Sequence, residues 1–214
     1  MAGWQPATLL GVLAQCASLA LADDDIAGRE LRFLPTLPPQ PIHYHHKHLT
    51  LSADSLTSGW ADHQQCHYRL DPVAALEVVF KKEQVRKLAI RRAEHVGRTW
   101  IEDGSVQLQD IGPDAVLCIA SESRVVRHDA LSGRYTLSSG PYMRRYLDGY
   151  FPMQMTLIVD YPATLKLDAI QPPELRLHTI DLPGHLRIYA VFEGQLFINL
   201  GFTPNKVEKT QPKR

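Results

Sequence analysis

Residues 186–202 read LRIYAVFEGQLFINLGF, in which two predominantly apolar stretches flank Glu193-Gly194. Each stretch has the length of a strand, and a two-residue connection that contains glycine is typical of a tight turn between antiparallel strands. These residues therefore predict a β-hairpin in this part of the chain.

Upstream of this hairpin, residues 153–161 also follow a two-residue period. The apolar side chains occupy every second position of the segment, at Met153, Met155, Leu157, Val159 and Tyr161. Successive side chains of a strand point to opposite sides of the sheet. The segment therefore predicts a strand with one buried and one solvent-exposed side.

Shorter runs of the same kind fill the middle of the chain, at residues 98–102, 106–109, 115–120, 124–128 and 134–138. Turn-forming pairs separate them, at Asp103-Gly104, Gly112-Pro113 and Ser132-Gly133. A spacing of about eight to twelve residues between runs is typical of sandwiches and barrels. We predict an all-β, antiparallel β-sandwich of roughly eight to eleven strands with little helix.

Secondary structure is less clearly indicated between residues 42 and 90. Residues 42–52 end in the alternating Leu49-Thr50-Leu51 and predict one strand, whereas residues 55–65 resemble a loop. Residues 75–80 and 85–90 favour two strands joined by a charged turn. A helix is the alternative, because several apolar residues between 78 and 96 also fall on one helical stripe.

The first 22 residues have the pattern of a secretory signal peptide. They carry no charged side chain, residues 7–22 are mainly apolar, and Ala20-Leu21-Ala22 has the small residues that a signal peptidase requires before a polar start. We predict cleavage after Ala22 and a periplasmic or secreted protein. A lipoprotein acylated at Cys16 is the alternative, although Gln15 is larger than the residue expected before such a cysteine.

The predicted mature chain contains one domain. About 190 residues remain after Ala22, which suits a single hydrophobic core. Residues 23–41 form a proline-rich, extended entry segment, residues 42–204 form the sandwich domain, and residues 205–214 form a disordered polar tail. No later segment is apolar enough to cross a membrane.

Charge and cysteine content restrict the classes of partner. Lys and Arg total 23, as do Asp and Glu, so the chain has no excess of positive charge. This balance argues against nucleic acid as a partner, because phosphate neutralisation needs a basic surface. In an oxidising compartment, Cys66 and Cys118 are expected to form a disulfide between a loop or edge strand and a core strand, with two buried thiols as the alternative.

The segment HYHHKH at residues 43–48 is the strongest candidate for a metal site. On a strand, His43 and His45 face one side with Lys47, whereas His46 and His48 face the other. His63 and His67 would complete a set of three or four imidazoles for zinc or copper(II). The alternative is a solvated, histidine-rich edge strand whose imidazoles titrate near neutral pH.

A second candidate site lies in residues 142–152, where tyrosine, arginine and aspartate are concentrated. Tyrosine and arginine provide flat contact area and directional donors. We predict a binding surface here, and its alternative is a packed loop that covers the end of the core. The candidate binding residues are Tyr142, Arg144, Arg145, Tyr146 and Tyr150.

Met153 and Met155, with Met143 nearby, resemble a copper(I) ligand set. Both lie in register with Leu157, Val159 and Tyr161, which favours a role in the hydrophobic core.

The sequence favours a non-enzymatic function. It contains no G-x-S-x-G nucleophile motif and no glycine-rich phosphate loop. The leading hypothesis is an exported module that binds a protein partner in the bacterial envelope. A periplasmic copper- or zinc-binding protein is the second hypothesis, and an envelope hydrolase is the third.

Overall fold

A computed structural model describes residues 29–146 and 149–205. The predicted signal peptide with Cys16 and nearly all of the predicted tail lie outside these residues. The described chain contains fifteen strands: β1 (Arg32–Phe33), β2 (Tyr44–Thr50), β3 (Trp60–Leu70), β4 (Ala75–Val79), β5 (Val85–Glu102), β6 (Ser105–Arg124), β7 (Val126–Asp129), β8 (Arg134–Tyr142), β9 (Arg144–Tyr146), β10 (Gly149–Phe151), β11 (Met153–Asp160), β12 (Leu165–Gln171), β13 (Thr179–Leu182), β14 (His185–Glu193) and β15 (Leu196–Pro204).

Helix is confined to three short segments of the described chain. They are α1 (Ala53–Ser58) and two 3-10 helices (Lys82–Gln84 and Pro173–His178). No helix in the described part of the chain is sufficiently long and apolar to span a bilayer. The predicted all-β fold class is therefore confirmed, and the higher strand count includes several strands of only two to four residues.

The strands form a sandwich-like arrangement of two main sheets. A nine-stranded sheet has the order β1-β14-β11-β2-β3-β6-β4, with β13 also paired to β14 and β5 to β6. A four-stranded sheet has the order β12-β15-β8-β7, and β9 and β10 form a separate pair. All pairs are antiparallel except β2 with β11, which is parallel and departs from the prediction.

The main hydrophobic core lies between these sheets. It combines alternate side chains of strands in the large sheet with side chains from the small sheet, among them Leu49, Leu157, Ile188, Leu137 and Phe202. Burial of such side chains stabilises the domain by about 25 cal/mol per Å² of apolar surface removed from water. Met153 and Met155 belong to this core, as the register predicted.

The hairpin predicted for residues 186–202 is wrong, although both of its strands exist. β14 pairs with β1, β11 and β13 in the large sheet, whereas β15 pairs with β8 and β12 in the small sheet. Gly194, with φ of +87°, lies in the turn between them, where an added Cβ would lie 2.1 Å from the carbonyl oxygen of Glu30. The chain passes from the large sheet to the small sheet at this turn. Phe192 before the turn and Leu196 after it both pack into the core between the two sheets.

Several runs predicted as separate strands belong to two long strands. β5 and β6 pair along their length, and the turn between them is Asp103-Gly104, where both residues have positive φ as a type I′ turn requires. Gly112-Pro113 lies within β6 and is not a turn. Bulges and the positive φ values of His95 and Asp110 let the strands bend without ending. The strand interpretation of residues 75–90 is confirmed over the helical alternative.

The loop predicted for residues 55–65 is wrong. Ser52 caps α1 by accepting a hydrogen bond from the Ser55 backbone N–H, and Ser55 returns a contact to the Ser52 N–H. Gly59, with φ of +81°, ends the helix, and β3 begins at Trp60. This places His63 on a strand.

The predicted disulfide between Cys66 and Cys118 is present. The two cysteines lie directly opposite each other on β3 and β6, with their Cα atoms 4.1 Å apart. Both strands are interior strands of the large sheet, so the expected link from a loop or edge strand is incorrect. Because Cys66 points to the outer side of β3, its neighbours Gln65 and His67 point to the inner side.

Candidate functional site

A cavity of about 850 Å³ opens between the inner side of the large sheet and β8 of the small sheet. It separates the main core from a second apolar cluster built on β6, which includes Leu108, Leu117 and Ile119. Its volume is within the range of roughly 300–1,000 Å³ that is usual for small-molecule sites.

Five basic side chains line the inner part of the cavity, and we call them the basic cluster: His43, His45, Lys47, His63 and His67. His45 and Lys47 lie on β2, His43 directly precedes β2, and His63 and His67 lie on β3. In the antiparallel register His45 lies opposite His67, and Lys47 lies opposite Gln65. Side chains that alternate on one strand and oppose each other across a strand pair share one face, so the local sequence pattern assembles the cluster.

Three histidines of the basic cluster, His43, His45 and His67, contact one another. His43 Nε2 lies 3.1 Å from His67 Nδ1, within hydrogen-bonding distance. The rings of His45 and His67 stack with their centroids 4.2 Å apart. Gln65 Nε2 lies 3.2 Å from the other ring nitrogen of His67. His67 thus has both of its nitrogens paired.

Two histidines of the cluster retain an unpaired nitrogen. The Nδ1 atom of His63 lies 2.8 Å from Ser123 Oγ and 3.2 Å from Ser121 Oγ on β6. The Nε2 atoms of His63 and His45 are buried and have no hydrogen-bond partner. Buried polar groups are nearly always paired in folded proteins, so these two nitrogens are exceptions among the described residues.

Lys47 is the only charged member of the basic cluster near neutral pH. Its side chain is 9% exposed, and no carboxylate of the described residues lies within 4.0 Å of its ammonium. The Nζ atom lies 5.6 Å from the ring centroid of Tyr142. Burial lowers the pKa of Lys47 to about 8, so the amine is mostly protonated at pH 7.

Burial keeps the histidines of the cluster neutral. It lowers the pKa of His43 to about 4 and holds the pKa values of His45, His63 and His67 well below the usual value. The nearby Lys47 charge lowers the last three further, which indicates that these imidazoles are close to the ammonium. The inner cavity therefore holds one positive charge among neutral hydrogen-bonding groups.

Asp71 anchors the other end of the cavity. Its carboxylate accepts hydrogen bonds from Arg144 Nε at 2.8 Å and from the Tyr146 hydroxyl. Burial raises the pKa of Asp71, but the bonds from Arg144 and Tyr146 outweigh this effect, so its pKa is lowered overall. These contacts hold β9 against the end of β3.

The five predicted binding residues of the 142–152 segment differ in exposure. Tyr142 is 1% exposed and its hydroxyl lies 2.6 Å from Ser139 Oγ, so it lines the cavity and does not reach the outer surface. Arg144 and Tyr146 are half-buried on Asp71. Arg145 is exposed, and its guanidinium lies 6.0 Å from the ring centroid of the half-buried Tyr150. Of the five, Arg145 is the most available to a partner.

The six predicted metal ligands do not form one set. His43, His45, His63 and His67 come together in the cavity, whereas His46 and His48 lie on the opposite side of the sheet. There, His48 Nε2 and His185 Nδ1 contact the two oxygens of Asp160 at 2.6 and 2.7 Å. No group of three or more His, Cys, Asp or Glu side chains in the described ranges is arranged to hold a metal ion.

Comparisons with known proteins assign no family. No protein-family model matches the sequence, and no curated protein matches it. Among solved structures, the chain is similar to an M1 zinc metallopeptidase from Deinococcus radiodurans (TM-score 0.40, 13% identity, 83% of this chain and 43% of that chain). A mutant of a two-domain M1 zinc metallopeptidase bound to L-tryptophan gives a TM-score of 0.40 and 14% identity over 83% of this chain and 44% of that one. The chain spans less than half the length of either structure, and the similarity is too low to indicate an activity.

Sequence reasoning identified the histidines of the cavity and placed Lys47 on the same face as His43 and His45, but it gave Lys47 no role and missed the polar neighbours on β3 and β6. Gln65, Ser121 and Ser123 carry no local signal, because their role depends on the pairing of β3 with β2 and β6.

Proposed function

We propose that this chain is a small-molecule-binding protein whose cavity takes an amphiphilic ligand with an anionic group, such as a carboxylate. The observation that carries the proposal is the buried Lys47 ammonium, which faces the cavity without a carboxylate partner. An unpaired buried charge is costly to a fold. Such groups concentrate at functional sites, where a ligand supplies the missing partner.

The neutral side chains around Lys47 suit the same ligand group. In the tautomer in which Nδ1 of His63 accepts a hydrogen bond from the Ser123 hydroxyl, Nε2 carries a hydrogen that has no acceptor within the described residues. Tyr142 remains a neutral phenol because burial raises its pKa. Hydrogen bonds to a charged acceptor are stronger than those between neutral groups. The inner cavity would therefore bind a carboxylate through one ion pair and several neutral contacts.

Part of the remaining wall of the cavity is apolar, beside polar and charged side chains. It includes Leu70, Leu76, Val78, Phe80 and Met153, which belong to or flank the two hydrophobic clusters. An alkyl or aryl group of the ligand would remove this surface from water at about 25 cal/mol per Å². The combination of one cationic end and a partly apolar wall favours an organic acid over an inorganic ion.

The disulfide supports the view that the protein works outside the cytosol. Cys66 and Cys118 pair between adjacent strands, and such structural disulfides persist mainly in oxidising compartments. Together with the signal-peptide pattern, this supports an exported binding protein.

Metal binding by the basic cluster remains the second hypothesis, since His43 Nε2 and His67 Nδ1 lie 3.1 Å apart. Neutral imidazoles bind zinc and copper(II) well. The nearby Lys47 ammonium would repel a divalent cation, however, and it attracts an anion. The geometry therefore favours the organic acid.

The proposal is tested with cis-parinaric acid, a fluorescent fatty acid, and with its methyl ester, which keeps the chain but lacks the charge. We expect saturable binding of the acid, weaker binding of the ester, and at least about tenfold weaker acid binding by Lys47→Met, since one charge-assisted contact is worth about 1.5–3 kcal/mol. Lys166→Met, at an exposed lysine outside the cavity, is the matched control and should bind as the wild type does. Equal affinity for acid and ester, or unchanged binding by Lys47→Met, would contradict the proposal. Tighter binding of zinc than of the acid would favour the metal hypothesis.

A further inference from the structure

Apolar side chains are exposed around the opening of the cavity. Three of its lining residues are apolar yet substantially exposed: Val79 is 70% exposed, Phe197 is 52% exposed and Met143 is 37% exposed. They come from β4, β15 and the connection between β8 and β9. Each of them both lines the cavity and reaches the surface, so the opening of the cavity includes apolar side chains.

Exposed cations accompany these apolar residues. Lys81, Arg124, Arg127 and Arg145 also line the cavity and are exposed, and no carboxylate of the described residues lies within 4.0 Å of them. The exposed carboxylates that line the cavity are Glu77, which accepts a hydrogen bond from Gln107, and Glu83. Cations therefore exceed carboxylates at the opening, although the whole chain is formally neutral.

We propose that the opening of the cavity docks on an anionic lipid surface. Apolar side chains interspersed with Lys and Arg are characteristic of surfaces that insert into the headgroup region of a membrane. The positive charges are attracted to anionic headgroups, and the apolar side chains leave water on insertion. The inference rests on the proposed function in one respect, since an amphiphilic ligand would enter from the lipid through this opening.

A protein partner with an acidic surface is the competing occupant. It would also be attracted to the cations. Exposed apolar side chains next to a cavity of this size favour the lipid surface, because such side chains leave water on entering a headgroup region, and the same cavity is lined in part by apolar residues that would contact a lipid chain.

The test is cosedimentation of the full chain with sucrose-loaded vesicles of phosphatidylcholine alone or of phosphatidylcholine and phosphatidylglycerol in equal parts. We expect binding to the anionic vesicles only, reduced by added salt. The double variant Phe197→Ser, Arg127→Gln should bind about tenfold more weakly, because each juxtamembrane cation contributes about 1 kcal/mol. The matched control, Leu177→Ser, Arg91→Gln, alters an exposed leucine and an exposed arginine outside the cavity and should bind as the wild type does. A melting temperature equal to that of the wild type shows that the opening variant is folded.

The outcomes separate this inference from the proposed function. A wild-type protein that binds cis-parinaric acid but neither type of vesicle overturns the docking inference and leaves the proposed function standing. A wild-type protein that binds anionic vesicles, but not cis-parinaric acid, overturns the proposed function. If the opening variant then loses vesicle binding, the docking inference stands. Equal binding to both vesicle types, equal loss in both double variants, or association with an acidic protein but not with vesicles also overturns the docking inference.

Discussion

His45 and His67 lie opposite each other on β2 and β3, and their imidazole rings stack with centroids 4.2 Å apart at the wall of the cavity. Both rings are buried and neutral, and Lys47 carries the charge beside them. The large sheet therefore presents a polar, basic surface to the cavity, which residues of both hydrophobic clusters also line.

Replacement of Lys47 by Met should stabilise the ligand-free protein. Met has a similar volume and no charge, so the variant removes a buried ammonium that has no carboxylate partner. We expect the free energy of unfolding in urea to rise by about 1–3 kcal/mol at pH 7. Lys166→Met should change it by less than about 0.5 kcal/mol. A destabilised Lys47→Met would mean that the ammonium has a favourable partner in the folded protein.

Affinity for an anionic ligand should fall as the pH rises through about 8. The pKa of Lys47 is lowered to about 8 by burial, so the amine loses its charge above this pH and the ion pair disappears. Titrations with cis-parinaric acid between pH 6.5 and 9.5 check this expectation. The methyl ester serves as the control, because its affinity should not follow the same curve.

The protein should lose stability as the pH falls from about 6.5 towards 4. The pKa values of the four cavity histidines are lowered in the folded state, to about 4 for His43, so the unfolded chain binds more protons in this window. Each such histidine contributes a slope of about 1.4 kcal/mol per pH unit. Carboxylates with lowered pKa values add to the loss only below about pH 4.5.

Urea unfolding at several pH values measures this slope. His67→Gln should reduce it by about one proton, and Leu177→Ser, which changes an exposed side chain that does not titrate, should leave it unchanged. A free energy of unfolding that is constant between pH 6.5 and 5 would show that the cavity histidines are protonated without cost.

Loss of the disulfide should lower stability substantially. The bond joins residues that are 52 positions apart, and in the chain-entropy model a loop of this length is worth about 4 kcal/mol. The variant Cys66→Ala, Cys118→Ala should therefore unfold at lower urea concentration. Dithiothreitol should destabilise the wild type but not the variant. An equal effect on both proteins would show that the disulfide does not account for the difference in their free energies of unfolding.

Arg144→Met should loosen β9 and β10. The Arg144–Asp71 pair is mostly buried, and a charge-assisted pair of this kind contributes about 1.5–3 kcal/mol. We expect faster hydrogen exchange in residues 144–151, measured by mass spectrometry. Arg92→Met, which removes an exposed ion pair with Glu94, should have little effect because solvent screens an exposed pair.

The strands of this protein could be predicted from local sequence far better than their partners. Alternation identified residues 153–161 as a strand, because burial on one side imposes a two-residue period, and apolar content on both sides of Glu193-Gly194 identified the two stretches of 186–202. The same signal could not show that β14 and β15 enter different sheets, since Glu193-Gly194 suits a sharp turn in either case. Likewise, Gly112-Pro113 resembles a turn locally but lies in a bulged strand that β5 supports along its length.

By itself, the sequence determined the all-β class, the face shared by His43, His45 and Lys47, and the cysteines available for a disulfide, because each depends on residue type and short-range spacing. Only the tertiary structure decided that Cys66 and Cys118 are neighbours on interior strands and that His46 and His48 lie away from the cavity. It also decided that Lys47 is buried without a carboxylate near it. Burial and pairing depend on which distant strands meet, and that is settled by the packing of the whole chain.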